Sequence, residues 1–262
     1  MWKWLVTGLG VAAASLVLAV GCASSALSPG ASPSPSSPQR SSPQSVPPSP
    51  TPGATTGNFD GAGPGESVTV YQAADGTRWI AFRLHSGQAV RARLASFFQG
   101  CHASYGVPPQ IIYQPHVMGV ADLTADGLDE ALVQIDHGAS TAFPAIFGIV
   151  NGSIRAATVI DGASTCQRIF PVNGSVTHGN GFACSTVAGA RGFQVLQADD
   201  NPPNYNTYDW YRSNYQWVGL NLRLVSVEHQ VFQLTQMNHG PWPSLLQSAW
   251  QVHCPGLPAY VN

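Results

Sequence analysis

The sequence predicts an α+β domain, a mainly antiparallel sheet with one or two helices, standing behind a disordered tether. Three observations predict it. Short runs rich in β-branched and aromatic residues are separated by Asp-Gly and Asn-Gly pairs. Only two stretches place apolar residues at helical spacing, and strands and helices do not alternate as a doubly wound nucleotide fold requires.

Met1-Trp2-Lys3-Trp4 is a short basic start, followed by an apolar run from Leu5 to Val20. The run is shorter than the roughly 20 residues a membrane-spanning helix needs, so it reads as an export signal rather than a permanent anchor. It ends in Leu18-Ala19-Val20-Gly21-Cys22. That segment resembles the lipobox of bacterial lipoproteins. The resemblance implies that residues 1–21 are removed and that Cys22 is diacylated, which anchors the chain on the extracytoplasmic face of the cell membrane. An ordinary cleaved signal with an incidental Cys22 is the other reading. Lys3 is the only lysine, and the Ala, Gly, Pro and Arg content points to a GC-rich, actinobacterial source.

Residues 22–60 form a Ser/Pro-rich stretch without apolar periodicity, expected to stay disordered and to hold the folded part away from the membrane. Residues 61–262 are long enough for a single domain with its own core. Charged residues make up only 9% of the chain and the net charge is -2. No basic excess is available to neutralise a nucleic-acid backbone or an anionic bilayer, so nucleic-acid binding is excluded.

Within the domain, Val68–Tyr71 and Trp79–Leu84 flank Asp75-Gly76 and predict a β-hairpin. Ser86 is placed to cap a helix running from Gly87 to Gln99, with Val90, Leu94 and Phe97 or Phe98 on one face. Asn151-Gly152 and Asn173-Gly174 predict two further hairpin turns. Tyr205–Trp210 and Tyr215–Val227 predict strands broken at Arg212-Ser213-Asn214, and a short helix follows Ser244. The four cysteines of the domain, Cys101, Cys166, Cys184 and Cys254, predict two disulfides in an oxidising compartment. The spacing favours Cys166 with Cys184 and Cys101 with Cys254.

The one motif with ion chemistry is Asp122-Leu123-Thr124-Ala125-Asp126-Gly127-Leu128-Asp129-Glu130. Oxygens recur at alternate positions and a glycine allows the turn, as calcium loops require. It resembles the calcium loop of FG-GAP or VCBS-type repeats. The resemblance implies Ca2+ held by Asp122, Thr124, Asp126, the carbonyl of Leu128 and Glu130. That family builds propellers from several such loops; one copy is found here, so no propeller is expected. The alternative is an acidic turn in which Asp122 and Asp126 bond to backbone amides.

Nucleophile elbows, zinc-protease motifs and phosphate loops are missing from the sequence. The aromatic residues Tyr208, Trp210, Tyr215 and Trp217 invite either a binding surface for glycan or protein, or a role in the core. The function expected is that of a lipid-anchored envelope protein whose domain binds an envelope ligand or partner without catalysis. The alternative is an envelope hydrolase acting on glycan or peptide, for which Asp209 and Glu228 are a conceivable acid pair.

Overall fold

The computed structural model describes residues 54–98, 114–160, 169–201, 206–233 and 243–259. Strands dominate these residues. Helix is reduced to one turn, α1 (Ser244–Gln247), which runs into a 3₁₀ turn at Ser248–Trp250, and a second 3₁₀ turn at Leu94–Phe98. The fold is mainly β, which corrects the α+β expectation. The helix expected after Ser86 is instead strand β4 (Ala89–Arg93) and the Leu94–Phe98 turn. Val90 and Ala92 pair with Phe82 and Ile80 of the neighbouring strand and pack on the core, so cross-strand contact overrides helical spacing. The short helix after Ser244 is present as α1.

Two antiparallel meanders come first. Strands β1 (Thr55–Gly57), β2 (Glu66–Gln72), β3 (Arg78–Arg83) and β4 form one sheet in that order. Strands β5 (His116–Ala121), β6 (Glu130–His137), β7 (Thr141–Val150) and β8 (Ser153–Ala156) pair in the same order within a larger sheet. The fold therefore starts with β1, ahead of residue 61 where the tether was expected to end, and Phe59 beyond β1 is fully buried.

The larger sheet continues through β9 (Thr158–Val159), β10 (Val172–Ser175), β11 (His178–Val187), β12 (Ala190–Asp200), β13 (Thr207–Val218), β14 (Asn221–Gln233) and β15 (Val252–His253). β10 continues from β7, and β11 to β14 follow by antiparallel pairing. β8 pairs with β7, and β9, one residue later, pairs with β14. That link closes the sheet on itself and encloses Ile146, Val159, Phe182, Phe193, Tyr215 and Leu222 in one cluster.

β6 lies between two cores and is buried on both faces. Ala131, Val133 and Ile135 face Val68, Ile80 and Phe82 of the first meander, while Leu132 faces the enclosed cluster. A third cluster joins Leu196, Trp210 and Phe232 to Leu246 and Ala249 of the C-terminal turns.

The turns mostly follow their sequence signals. The Asp75-Gly76 hairpin is present between β2 and β3. Asn151 and Gly152 take φ of 51° and 70°, as a tight two-residue hairpin turn requires. Asn173-Gly174 differs, because it lies inside β10, where a Cβ on Gly174 would run into the carbonyl of His178. The break expected at Arg212–Asn214 also differs. β13 runs on to Val218, and the irregularity there is a bulge between Asn214 and Tyr215.

Candidate functional site

The acidic loop joins β5 to β6, and its side chains are engaged with its own backbone. Asp122 accepts the amides of Asp126 at 3.2 Å and Gly127 at 3.1 Å, and Asp126 accepts the amide of Leu128 at 2.9 Å. Glu130, the first residue of β6, is buried and turns inward. It accepts the amides of Leu123 at 2.8 Å and Thr124 at 3.3 Å, and the Thr124 hydroxyl at 3.4 Å. Burial pushes the Glu130 carboxyl up to about 8; the Leu123 and Thr124 amides pull the other way, and the charges of Asp126 and Asp122 add to the rise. Arg191 reaches in from β12 and donates to the carbonyls of Leu123 at 3.1 Å and Asp122 at 3.4 Å.

The same set of bonds occurs a second time, 64 residues earlier, in a segment that the sequence reading divided between tether and domain. Glu66, the first residue of β2, accepts the amides of Phe59 at 2.5 Å and Asp60 at 3.0 Å, at the same offsets at which Glu130 accepts Leu123 and Thr124. The Asn58 side-chain oxygen accepts the amide of Gly63 at 3.1 Å, as Asp122 accepts that of Gly127. Gly57 pairs with Glu66 as Ala121 pairs with Glu130, and both loops take positive φ at their fourth and sixth positions, Gly61 and Gly63 in one, Ala125 and Gly127 in the other.

Each loop therefore opens a four-stranded meander, and the hydrogen bonds of the acidic loop recur in the first loop without its full set of acids. The shared signal is Asn58-x-Asp60-Gly61-x-Gly63-x-x-Glu66 against Asp122-x-Thr124-Ala125-x-Gly127-x-x-Glu130. It was missed because the first copy has glycine and alanine where the second has the acids that attracted notice. The two loops also bond to each other. Asn58 donates its amide to Asp129 at 2.7 Å and its side-chain NH2 to the Gly127 carbonyl at 2.8 Å, and accepts the Asp129 amide at 2.7 Å.

As folded, the Asp122, Asp126 and Glu130 carboxylates accept amides and a hydroxyl of their own loop. Among the described residues no three His, Cys, Asp or Glu side chains are grouped to hold a metal. Of the donors the resemblance implied, Glu130 directs both oxygens to Leu123 and Thr124, and Asp122 and Asp126 accept amides of the loop. The arrangement is that of the acidic turn, fastening the first meander to the second.

The other expected sites are distributed differently. Tyr208, Trp210 and Tyr215 are buried, and Trp217 packs against Phe193 with ring centroids 5.6 Å apart. The aromatic binding surface is thereby corrected to core: these residues sit on the strand faces turned to the two inner clusters. Asp209 and Glu228 are not a pair. They occupy opposite faces of the β13–β14 ribbon, where Glu228 bonds Arg212 and Asp209 lies 2.6 Å from His229. Cys184 is bonded to Cys254, which corrects the pairing favoured by spacing. β15 runs parallel to β11 and brings the chain just after His253 beside Cys184. Cys22, Cys101 and Cys166 lie outside the described residues.

A cleft of about 600 Å³ opens where the Leu94–Phe98 turn, the β7–β8 hairpin and the β13–β14 turn meet. Phe97, Val150, Ala156, Val218 and Leu220 form apolar walls, Ser96, Thr158 and Asn221 add polar groups, and Arg155 is the one charged side chain of the lining. Val150 and Val218 are exposed at its edge although both are apolar. Sequence reading could not find this cleft, because its residues come from four separated segments and none belongs to a motif. No family model matches the chain, and neither a curated protein nor a solved structure matches it.

Proposed function

We propose that this chain is an envelope lipoprotein, held to the cell membrane on its extracytoplasmic face through Cys22, whose β domain binds a small ligand without catalysing its conversion. The cleft beside Arg155 carries the reading. Its volume suits a small molecule, its walls supply apolar contact, and a single cation at its side orients one anionic group. The ligand class is an amphipathic anion, part apolar and carrying a carboxylate, sulfonate or phosphate at one end. Two turns border the lining, the Asn151-Gly152 hairpin turn on one side and the Gly219-Leu220 turn on the other. In this reading the paired loops are structural, and no ion is assigned to the Asp122 loop.

Calorimetric titration with dodecanoate tests it, with dodecanol as the uncharged counterpart. Saturable binding of dodecanoate is expected, weakened roughly tenfold by Arg155→Gln, a loss of one charge-assisted contact. Equal binding of the alcohol, or no effect of the substitution, would overturn the reading.

A further inference from the structure

The outer face of the first meander carries a row of arginines beside an aromatic ring, away from the cleft at Arg155. Alternation along its strands sends Val68, Ile80, Phe82 and Val90 into the core, and Tyr71, Trp79, Arg83, Arg91 and Arg93 to the outer face. The register sets their order. Trp79 lies opposite Arg93, Ala81 opposite Arg91, and Arg83 opposite Ala89. Three consecutive outward rows thus carry one guanidinium each, with rows about 7 Å apart along the strands. The alanines beside Arg91 and Arg83 leave the ground between the guanidiniums low.

Trp79 holds two of these cations in place, with the Arg91 and Arg93 guanidinium carbons 5.5 and 5.4 Å from its ring. Among the described residues, positive charge on this face outweighs negative. Four of the ten arginines fall between Arg78 and Arg93, a stretch with no acidic residue, in a chain of net charge -2. Among the described residues, Arg83, Arg91 and Arg93 make no ion pair; the two pairs present belong to the β13–β14 ribbon. Asp75 in the β2–β3 turn is committed first to Thr77, whose amide donates to it at 2.9 Å, and interacts with Arg93 more weakly.

We propose that this row of guanidiniums binds a linear anionic glycan, a polymer with a carboxylate or phosphate recurring along its chain. A linear array of cations matches a linear array of anions. The planar, fixed guanidinium fork is suited to carboxylate and phosphate, and the Trp79 and Tyr71 rings beside it suit sugar. A lipid surface would call for protruding aliphatic side chains and flexible lysines, and this face has neither.

The test uses the full-length chain with polygalacturonate as the probe, neutral dextran as the control and phosphatidylglycerol vesicles as the competing surface. Binding to polygalacturonate that weakens with salt is expected. The triple variant Arg83→Gln, Arg91→Gln, Arg93→Gln should lose roughly tenfold or more of the affinity, Trp79→Leu a smaller part, and Arg223→Gln on β14 none. Melting temperatures check that the variants fold, and an unfolded triple variant is replaced by the three single ones. The proposal fails if polygalacturonate does not bind at low salt, if dextran binds equally, if the arginine variants bind like the parent, or if vesicles bind more tightly through the same arginines.

Discussion

Asn58 and Asp122 open two loops that fold alike from different side chains. In the first, Asn58, Asp60 and Glu66 supply the side-chain acceptors and glycines supply the turns. In the second, Asp122, Asp126 and Glu130 do so, and Ala125 occupies the position of Gly61. The bonds common to both are those from backbone amides to a glutamate at the start of the next strand. The loop shape thus depends on that glutamate and on the glycine at the sixth position. The extra acids of the second copy are not needed to reach it, since Ala62 stands where Asp126 does. What they change is the electrostatics around Glu130, whose raised proton affinity they increase.

Removing the shared element should have the largest effect. Glu66 is 1% exposed and serves three backbone donors, Phe59, Asp60 and His85, the last at 2.7 Å. Glu66→Ala strands these donors and should cost roughly 3–4 kcal/mol of stability, read from urea unfolding. Glu66→Gln should also destabilise, because both carboxylate oxygens face N–H groups and an amide NH2 would meet a donor. A loss below about 1 kcal/mol for the alanine variant would show that the first loop does not need its glutamate.

Glu130 brings a pH dependence of its own. Its carboxyl titrates near 8 in the folded chain against an ordinary value of 4.5, so the folded state keeps a proton that the unfolded state releases. Stability from this group is complete below about 4.5, declines as pH rises toward 8 and is constant above it, a change on the order of a few kcal/mol. Glu130→Gln keeps an oxygen for the Leu123 and Thr124 amides and turns its NH2 to the Thr124 hydroxyl, which then accepts. The variant should lose that decline and exceed the parent in melting temperature above pH 8. Parallel pH profiles for the two proteins would remove Glu130 as the titrating group.

These contrasts also show what could be read from the chain. Hairpins with a local cause were legible: Asp75-Gly76, Asn151-Gly152 and the short turn after Ser244 rest on neighbouring residues. Ala89–Phe98 was misread because its apolar spacing satisfies both a helix and a strand followed by a turn, and pairing with β3 across the turn at Ser86-Gly87 decides. The Asp122 loop was visible through its acids, and its actual bonding was one of the two readings they allowed. Its counterpart at Asn58 was invisible to a search for charge, although both share the spacing from first acceptor to glutamate. The Cys184–Cys254 bond and the Arg155 cleft depend on which strands lie side by side, which no local pattern carries.

The smallest predicted effect concerns the fourth position of the loops. Gly61 and Ala125 take φ of 85° and 60°, a region where glycine is at ease and an L side chain is strained. Ala125 is exposed, so its methyl group contributes little packing to offset the strain. Ala125→Gly should therefore stabilise the chain by about 0.5–1 kcal/mol, and Gly61→Ala should cost about 1 kcal/mol, both read from thermal unfolding at fixed pH. The side chain of Leu128 lies 3.5 Å from where the new Cβ of Gly61→Ala would stand, an ordinary contact, so the cost at that site is conformational rather than steric. Opposite signs at matched positions would establish that the two loops share one backbone requirement. Equal signs would mean that Ala125 is held by the acids around it, and that the second loop has diverged in more than charge.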